Sequence, residues 1–364
     1  LKGGTGNDVL AGGDGIDTAD FSDNTVGVSL TLVSGAGTAT SRSTLAGQTG
    51  TDDLSGIENL IGGSGADAFS SDLGSATGAI ANYIDGGAGN DTILSGYGDD
   101  TILGGLGNDS INAGDGNDRV LGDAGNDTLD GGAGSGDVLD YSGVSGPVVI
   151  NLSGSSVVVG STTLATGQVW DGSDSTVSPY IDQISGFETL IGSGAADTIL
   201  GSAGNDVIDG GTGPDSIDAG AGDDRIVYDP LDAVVQAGSG TDTLVVGADK
   251  TLVDFTLLRD DIFFGFEVLD LTASGSQSVK IADADVYAMT SNRILRVDGA
   301  AADGVRLVGN WALDTSNGSG LFDAGSVKTH DAYITSYLPS GSVTPVTLTI
   351  MVPVAITPGL TEMS

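Results

Sequence analysis

The sequence predicts an all-β chain in which glycine-rich turns alternate with short strands. A phrase of nine residues with glycines, an aspartate and an aliphatic residue recurs in steps of nine, as in "GGAGNDTILSGYGDDTILGGLGNDSIN" over 86–112. Insertions with strand-like alternation separate these repeats, and "DTADFS" (17–22) returns as "DVLDYS" (137–142). From about residue 246 glycine becomes rarer, and runs such as "TLVDFTLL" and "SVKIADADV" indicate further strands.

The order of repeats and insertions gives the predicted segments. "LK" before "GGTGND" fits the end of a preceding nonapeptide, so we expect Leu1 to lie inside a repeat and the chain to be the C-terminal piece of a longer protein. Both insertions close on related phrases, "DDLSGIENLIGGSGAD" (52–67) and "DQISGFETLIGSGAAD" (182–197), which indicates a duplicated architecture. The predicted segments are repeats at 1–20, a β-insertion at 21–61, repeats at 62–139, a second β-insertion at 140–191, repeats at 192–245, a C-terminal β domain at 246–338 and a charge-poor tail at 339–364.

The charge of the chain restricts its partners. Among 364 residues there are 50 acidic and only 11 basic side chains, for a formal net charge of −39. Such a charge opposes compaction by self-repulsion, so we expect a counter-charge from outside the chain. Nucleic acid and anionic membranes are themselves negative and are excluded as electrostatic partners. The absence of cysteine excludes disulfides and thiolate metal sites, and no apolar run is long enough for a transmembrane segment.

Each position of the nonapeptide has a physical reason. Glycines at positions one, two and four permit tight turns in which carbonyl groups converge, and the aspartate at position six adds a carboxylate. The aliphatic residue at position eight is expected on a short strand, pointing inward. A site made only of oxygen ligands suits calcium, whereas zinc prefers nitrogen or sulfur and magnesium a strict octahedron. One buried aliphatic side chain does not offset the ordering of nine residues, so we expect the arrays to fold only with the metal.

These repeats resemble the calcium-binding nonapeptides of the RTX (repeats-in-toxin) family, whose signature is GGxGxDxUx. Matching copies lie at 3–20, 62–70, 86–139 and 192–245. The resemblance implies a right-handed parallel β-roll with two nonapeptides per coil. It also implies that the aspartate at position six and turn carbonyls hold calcium ions between neighbouring turns.

The resemblance assigns the metal ligands residue by residue. In the copy that begins at Gly131 the aspartate is displaced by one place, and the copy at 228–236 has no ligand at its sixth position. We expect Asp109 to act with Asp91 and Asp127 on one side of the roll. The alternative for each aspartate is that it only caps a turn. The assigned ligands are Asp8, Asp17, Asp67, Asp91, Asp100, Asp109, Asp118, Asp127, Asp137, Asp197, Asp206, Asp215, Asp224 and Asp242.

No catalytic residues are predicted. A zinc protease needs HExxH, but the chain has one histidine, His330, and no GxSxG elbow for a serine hydrolase. Carboxylate pairs such as Asp99–Asp100 belong to the repeat turns and are interpreted as part of the calcium sites. The sequence therefore predicts a non-enzymatic region.

The resemblance also implies a location and partners. RTX proteins are exported by type I secretion, and the tail at 339–364 is similar to the C-terminal signal that this machinery reads. The segment 240–338 resembles the terminal β region of large RTX surface proteins. We expect a structural, calcium-dependent module of a secreted or cell-surface protein, of the adhesin, surface-layer or matrix type, with cell-surface components or copies of itself as partners. The alternative is the folding and secretion module of an enzyme or toxin whose active domain lies upstream.

Overall fold

A computed structural model gives the architecture of the chain as two compact units, Leu1–Thr198 and Ile199–Ser364. Residues 33, 38–40, 72, 283, 304, 308 and the strands from 312 onward are described by their backbone alone. The structure describes residues 1–4, 6–33, 38–40, 52–72, 80–172, 180–247, 252–257, 262–272, 277–290, 294–298, 304–308, 312–313, 330–337, 346–353 and 359–361.

The first unit consists of short strands. Most are three residues long because each nonapeptide leaves only a few residues between its turns. They are β1 (Val9–Ala11), β2 (Thr18–Asp20), β3 (Ser29–Val33), β4 (Thr38–Thr40), β5 (Asp53–Ser55), β6 (Asn59–Ile61), β7 (Ala68–Asp72), β8 (Tyr83–Asp85), β9 (Thr92–Leu94), β10 (Thr101–Leu103), β11 (Ser110–Asn112), β12 (Arg119–Leu121), β13 (Thr128–Asp130), β14 (Val138–Asp140), β15 (Val148–Asn151), β16 (Val157–Val159), β17 (Thr162–Leu164), β18 (Gln168–Asp171), β19 (Tyr180–Ser185) and β20 (Thr189–Ile191).

Successive strands of the central array alternate between two sheets and pair in parallel within each. One sheet has the order β2-β6-β8-β10-β12-β14-β20, and the other has the order β15-β18-β19-β13-β11-β9-β7-β3-β4. Ile111 on β11 is in register with Ile93 on β9 and with Leu129 on β13. Every second nonapeptide therefore returns to the same sheet, which confirms the predicted parallel β-roll with two nonapeptides per coil.

The aliphatic residues at position eight fill the interior of this roll. Ile93, Ile102 and Val120 are 0 % exposed, and their neighbours along each strand are exposed or half-buried. Two stacked rows of small strands thus share one narrow apolar core. The turns stack as well: the N–H of Leu106 donates to the carbonyl of Gly87 at 2.8 Å, and the N–H of Gly89 donates to the carbonyl of Leu106 at 2.7 Å.

Both insertions return to the roll through their closing strands. In the first, β5 pairs with β1 and β6 pairs with β2, both in parallel. In the second, β18 is antiparallel to β15 and β19, while β19 is parallel to β13 and β20 is parallel to β14. The related phrases at 52–67 and 182–197 therefore supply further coils as well as loops.

The second unit also consists mainly of short strands, and strand β21 (Thr198–Leu200) lies at its beginning. Its further strands are β22 (Val207–Asp209), β23 (Ser216–Asp218), β24 (Arg225–Val227), β25 (Val234–Gln236), β26 (Thr243–Val245), β27 (Val253–Asp254), β28 (Phe263–Phe264), β29 (Val268–Asp270), β30 (Ser278–Ala282), β31 (Ile294–Asp298), β32 (Gly304–Val308), β33 (Ala312–Leu313), β34 (His330–Tyr337), β35 (Val346–Pro353) and β36 (Gly359–Thr361). One sheet has the order β22-β24-β26-β29-β31-β35-β34-β33, β23 pairs with β25 and β25 with β28, and another sheet has the order β27-β30-β32-β36.

Two runs predicted as strands become partly helical. "TLVDFTLL" forms β27 and then the 3-10 helix Phe255–Leu257, and "SVKIADADV" forms β30 and then helix α1 (Asp283–Met289). The strand prediction was wrong over the second half of both runs. At α1 the N–H of Ala282 donates to Asp285 at 2.6 Å, and Val286 and Met289 bury one face of the helix.

The segment predicted as a tail also contributes strands in its described part. Strand β35 is antiparallel to β34 and parallel to β31, and β36 is parallel to β32. Among the described residues, the helices are too short to cross a lipid bilayer.

Candidate metal centres

An aspartate stands immediately before each strand of the central repeats, and these aspartates form hydrogen-bonded ladders. Along one sheet, the N–H of Asp91 donates to Oδ1 of Asp109 (2.7 Å), and the N–H of Asp109 donates to Oδ1 of Asp127 (2.8 Å). Along the other sheet, the N–H of Asp100 donates to Oδ1 of Asp118 (2.8 Å). The structure therefore places Asp91, Asp109 and Asp127 along one side of the roll, as the resemblance implies, and Asp100 and Asp118 along the other.

The second carboxylate oxygen of most ladder residues of the first unit has no hydrogen-bond donor. Within the described part of the chain, the buried Oδ2 atoms of Asp91, Asp100, Asp109, Asp118 and Asp137 accept no hydrogen bond. All five residues are 3 % exposed or less. A buried carboxylate oxygen with no donor is unfavourable unless a cation neutralises it. The ladders thus present rows of anionic oxygens that fit a hard divalent ion.

Burial raises the pKa values of the ladder carboxyls when no ion is bound. Burial raises the pKa of Asp91 to about 7, and the charges of Asp109 and Asp67 add to the increase. Burial likewise raises the pKa of Asp118 to about 7 and that of Asp127 to about 8, the latter with Asp182 contributing. These carboxyls therefore need either protons or metal ions in the folded chain.

The displaced aspartate of the copy at Gly131 occupies the regular place in the ladder. The N–H of Asp118 donates to Oδ1 of Asp137 at 2.8 Å, although the two residues are separated by 19 positions instead of 18. The extra residue is accommodated in the turn between them. The shift in sequence therefore does not remove Asp137 from the row of carboxylates.

Sequence reasoning missed the acidic residues that terminate each ladder. They belong to the closing phrases of the insertions and to "GFEVLDL", where Asp or Glu stands two places before an inward-pointing aliphatic residue. That shared spacing could have revealed them, but they are out of step with the preceding repeats. Each accepts the N–H of a repeat aspartate: Asp52 from Asp8, Glu58 from Asp17, Asp182 from Asp127, Glu188 from Asp137 and Glu267 from Asp242.

Three predicted ligands have the geometry of loop caps. Asp67 accepts the N–H of Val28 at Oδ1 (2.6 Å) and the N–H of Gly63 at Oδ2 (2.8 Å). Asp197 accepts the N–H of Val148 and, on its other oxygen, the N–H of Ser193. Asp206 accepts the N–H of Ser202, four residues earlier, at Oδ2 (2.7 Å) and the hydroxyl of Ser202 at Oδ1 (3.1 Å). Their role as calcium ligands stays a prediction.

The second unit repeats the ladder. The N–H of Asp206 donates to Oδ1 of Asp224 (2.9 Å), and the N–H of Asp224 donates to Oδ1 of Asp242 (3.0 Å). The Oδ2 atoms of Asp224 and Asp242 are buried and accept no hydrogen bond from the described residues. Asp215, before β23, is fully buried.

One carboxylate outside the sixth position joins the first ladder. Asp123 replaces the second glycine of its repeat, and its Oδ2 accepts the N–H of Gly105 at 2.7 Å. Carboxylate oxygens of Asp109, Asp123 and Asp127 all lie within 4.8 Å of one another. This cluster could hold a metal ion and was not predicted, because the repeat pattern requires no acidic residue at position two.

The few basic residues pair with aspartates at strand ends. Arg119 forms an ion pair with Asp140, and Arg225 with Asp270 at 2.7 Å. These two carboxylates also accept the N–H of Ser142 and of Thr272, respectively. Such aspartates are satisfied within the protein and have no place in the rows of unpartnered oxygens.

The comparison with known families agrees with this chemistry. A family described as the RTX calcium-binding nonapeptide repeat (4 copies) matches residues 1–20, 77–111, 103–138, 184–216 and 200–229. No curated protein matches the chain significantly. The matched ranges contain Asp91, Asp109 and Asp127 of the first unit and Asp206 and Asp224 of the second, and calcium is the ion that these repeats bind at multiple sites. The chain therefore carries RTX calcium-binding nonapeptide repeats, as its sequence predicts.

Proposed function

We propose that this chain is a calcium-dependent structural module of a secreted cell-surface or extracellular protein, of the adhesin, surface-layer or matrix type. The observation that carries the proposal is the row of buried, unpartnered Oδ2 atoms along each ladder. Because like charges repel across neighbouring coils, the stack needs cations between its turns. Calcium binding and folding of the arrays are then one coupled process.

The decisive experiment is a calcium titration of the purified chain. Secreted calcium modules bind at about 10⁻⁴–10⁻³ M, above cytosolic and below typical external levels. We expect far-ultraviolet circular dichroism to show an unfolded spectrum in chelator at neutral pH and a β spectrum in millimolar calcium. Magnesium at the same concentration should not replace calcium. A β spectrum that is indifferent to chelator would contradict the proposal.

The role at a cell surface is supported by the architecture. The duplicated insertions and the strands that follow the second array add folded structure to the calcium-binding repeats, and its surface is available for contacts with other molecules. We propose that the parent protein remains bound to the cell surface or to copies of itself after type I secretion. Antibodies to this chain should label intact producing cells in calcium, and chelator should release the label. A parent found only in the medium, with an enzymatic or pore-forming activity, would favour the alternative.

We further propose that these residues catalyse no reaction. The one histidine, His330, lies on β34, and its side chain is outside the part that the structure describes. Changing His330→Ala should leave calcium-dependent folding and any activity of the parent unchanged. A large loss of turnover in that variant would refute the non-enzymatic interpretation.

A further inference from the structure

One turn of the second unit buries an acidic side chain where related turns bury an apolar one. This turn precedes β25 and belongs to the copy at 228–236, which lacks an aspartate at its sixth position. Asp232, at position five, is only 4 % exposed. Neither of its carboxylate oxygens accepts a hydrogen bond from the described residues.

Backbone pairing identifies the related turns. The carbonyl of Asp215 accepts the N–H groups of Ala233 (2.8 Å) and of Val234 (3.3 Å). Three other repeat aspartates accept two consecutive N–H groups in the same way, and in each case the first donor is a glutamate. These pairs are Asp17 with Glu58 and Asn59, Asp137 with Glu188 and Thr189, and Asp242 with Glu267 and Val268.

This equivalence shows what is unusual about Asp232. The residues before the three glutamates are Ile57, Phe187 and Phe266, and all three are buried apolar side chains. Asp232 takes their place, and Ala233 takes the place of the glutamate. Each glutamate accepts an N–H from its repeat aspartate, which an alanine cannot do. The turn has therefore exchanged a carboxylate bonded to the backbone for a buried carboxylate without a bonded partner.

The surroundings of Asp232 make a bare negative charge unfavourable. Burial raises the pKa of Asp232 to about 8, and the negative charges of Asp215 and Asp229 add to the increase. In the same repeat copy, the ring of Tyr228 packs against that of Phe263, with the two ring centroids 5.6 Å apart. Within the described residues, no basic side chain forms an ion pair with Asp232. The charge is thus largely removed from solvent, and no described cationic side chain compensates it.

We propose that Asp232 and Asp215 bind a calcium ion in the second unit, at a repeat whose sequence lacks the usual ligand. Two carboxylates supply hard oxygen donors, and the ion neutralises both buried charges. The inference rests on the proposed calcium dependence of the chain but adds a site that the nine-residue signature does not contain. It also explains why an acidic residue occupies a position that is apolar in the three related turns.

Two substitutions of Asp232 distinguish a calcium ligand from a buried polar group that only destabilises the fold. Asp232→Asn keeps the shape and removes the charge, and Asp232→Ile restores the apolar residue of the related turn at Ile57. If the carboxylate binds an ion, both variants should hold one calcium ion fewer than the unmodified chain, counted by native mass spectrometry at fixed free calcium. If Asp232 is only a buried polar group, Asp232→Ile should be as stable or more stable and should keep the full calcium count. That second result would overturn the proposal.

The exposed Asp218 of the same array gives a matched control. Asp218→Asn should leave the count of bound calcium unchanged. Failure of the unmodified chain to bind any calcium would instead contradict the proposed function as a whole. Should both Asp232 variants fail to fold, anomalous diffraction from crystals of the unmodified chain in terbium decides the question. A peak within ligand distance of Asp215 and Asp232 supports the site, and its absence with terbium bound elsewhere refutes it.

Discussion

At the scale of one residue, a ladder aspartate such as Asp109 uses its two oxygens differently. Oδ1 of Asp109 accepts the N–H of Asp91, whereas Oδ2 is buried without a donor. The hydrogen bond to Oδ1 positions neighbouring coils. The unpartnered, negatively charged Oδ2 requires a cation. Asparagine can replace the first function but not the charge, and alanine replaces neither.

We therefore predict a graded response at Asp109. Both Asp109→Asn and Asp109→Ala should raise the calcium concentration needed for folding, and alanine should have the larger effect. Alanine also leaves the buried N–H of Asp91 without its acceptor, which costs about 1–3 kcal/mol. Calcium titrations followed by circular dichroism measure the midpoints, and saturating calcium should partly rescue each variant.

The control for this comparison is Asp115→Asn, because Asp115 is exposed in the same array. Its midpoint should match that of the unmodified chain. Asp140 would be a poor control, although it lies outside the nine-residue phase, because it is 1 % exposed and paired with Arg119. Equal shifts for the Asp109 and Asp115 variants would show that the position of an aspartate within the repeat does not determine whether it binds calcium.

A second residue-scale prediction concerns Tyr141. This fully buried side chain donates its hydroxyl to Oδ2 of Asp182 at 2.5 Å, at the end of the Asp127 ladder. Tyr141→Phe should lower the free energy of unfolding of the calcium-loaded chain by about 1.5–3 kcal/mol, because a buried charged acceptor loses its donor. Thermal unfolding in saturating calcium measures this loss, and the half-buried Tyr97→Phe should change it by less than about 0.5 kcal/mol.

At the scale of an element, the turns limit which residues the repeat tolerates. Gly107 has a φ of +134°, and a Cβ atom there would lie 1.6 Å from the carbonyl oxygen of Gly89 in the adjacent coil. The close stacking that brings carbonyl groups together thus excludes any side chain at this position. Gly154, in the second insertion, has open space around it.

Gly107→Ala should accordingly disrupt the stack. The backbone strain alone costs about 1–3 kcal/mol, and the clash with Gly89 separates the two turns further. We expect a lower unfolding temperature and a higher calcium midpoint than in the unmodified chain. The matched substitution Gly154→Ala should leave both quantities nearly unchanged, and an equal effect at the two glycines would contradict the stacking explanation.

The elements also show how far a sequence pattern can be extended. The step of nine predicts the strands and the inward position of residues such as Ile93, because each repeat has the same local geometry. The alternation of the strands between two sheets is implied by the resemblance to RTX repeats. The step of nine does not predict Glu188 as a ladder terminus, since this residue follows Asp182 by six positions in place of nine. Nor does it predict helix Asp283–Met289, where packing of Val286 and Met289 overrides a β-type composition.

At the scale of the whole molecule, the net charge of −39 makes protons and calcium alternative partners of the same carboxylates. The pKa of Asp118 rises from 3.8 to about 7, and that of Asp127 rises to about 8, when no ion is bound. A carboxyl whose pKa is higher in the folded state favours folding when protonated. Its contribution is complete below the unfolded value near 4 and disappears as the pH rises through 7 to 8.

Stability should therefore depend on pH in opposite ways with and without calcium. In chelator, the β content should be greater at a pH of about 4 than at a pH of about 8, because protons neutralise the ladders. In calcium, acidification should weaken folding, because protons displace the ion from its carboxylates. Thermal unfolding across this range, with and without chelator, measures both trends. A chelator-treated chain that is more stable at the higher pH would contradict the assignment of the buried carboxylates.

The ladder of the first unit has a polarity. The N–H of Asp91 requires Asp109, the N–H of Asp109 requires Asp127, and the N–H of Asp127 requires Asp182. The aspartate N–H of a coil on the N-terminal side of an existing stack finds its carboxylate acceptor already in place. The aspartate N–H of a coil on the C-terminal side has its acceptor in the coil that follows. The ladder is therefore directional: each coil depends on the next coil toward the C-terminus for its acceptor, and Asp182 supplies the last one.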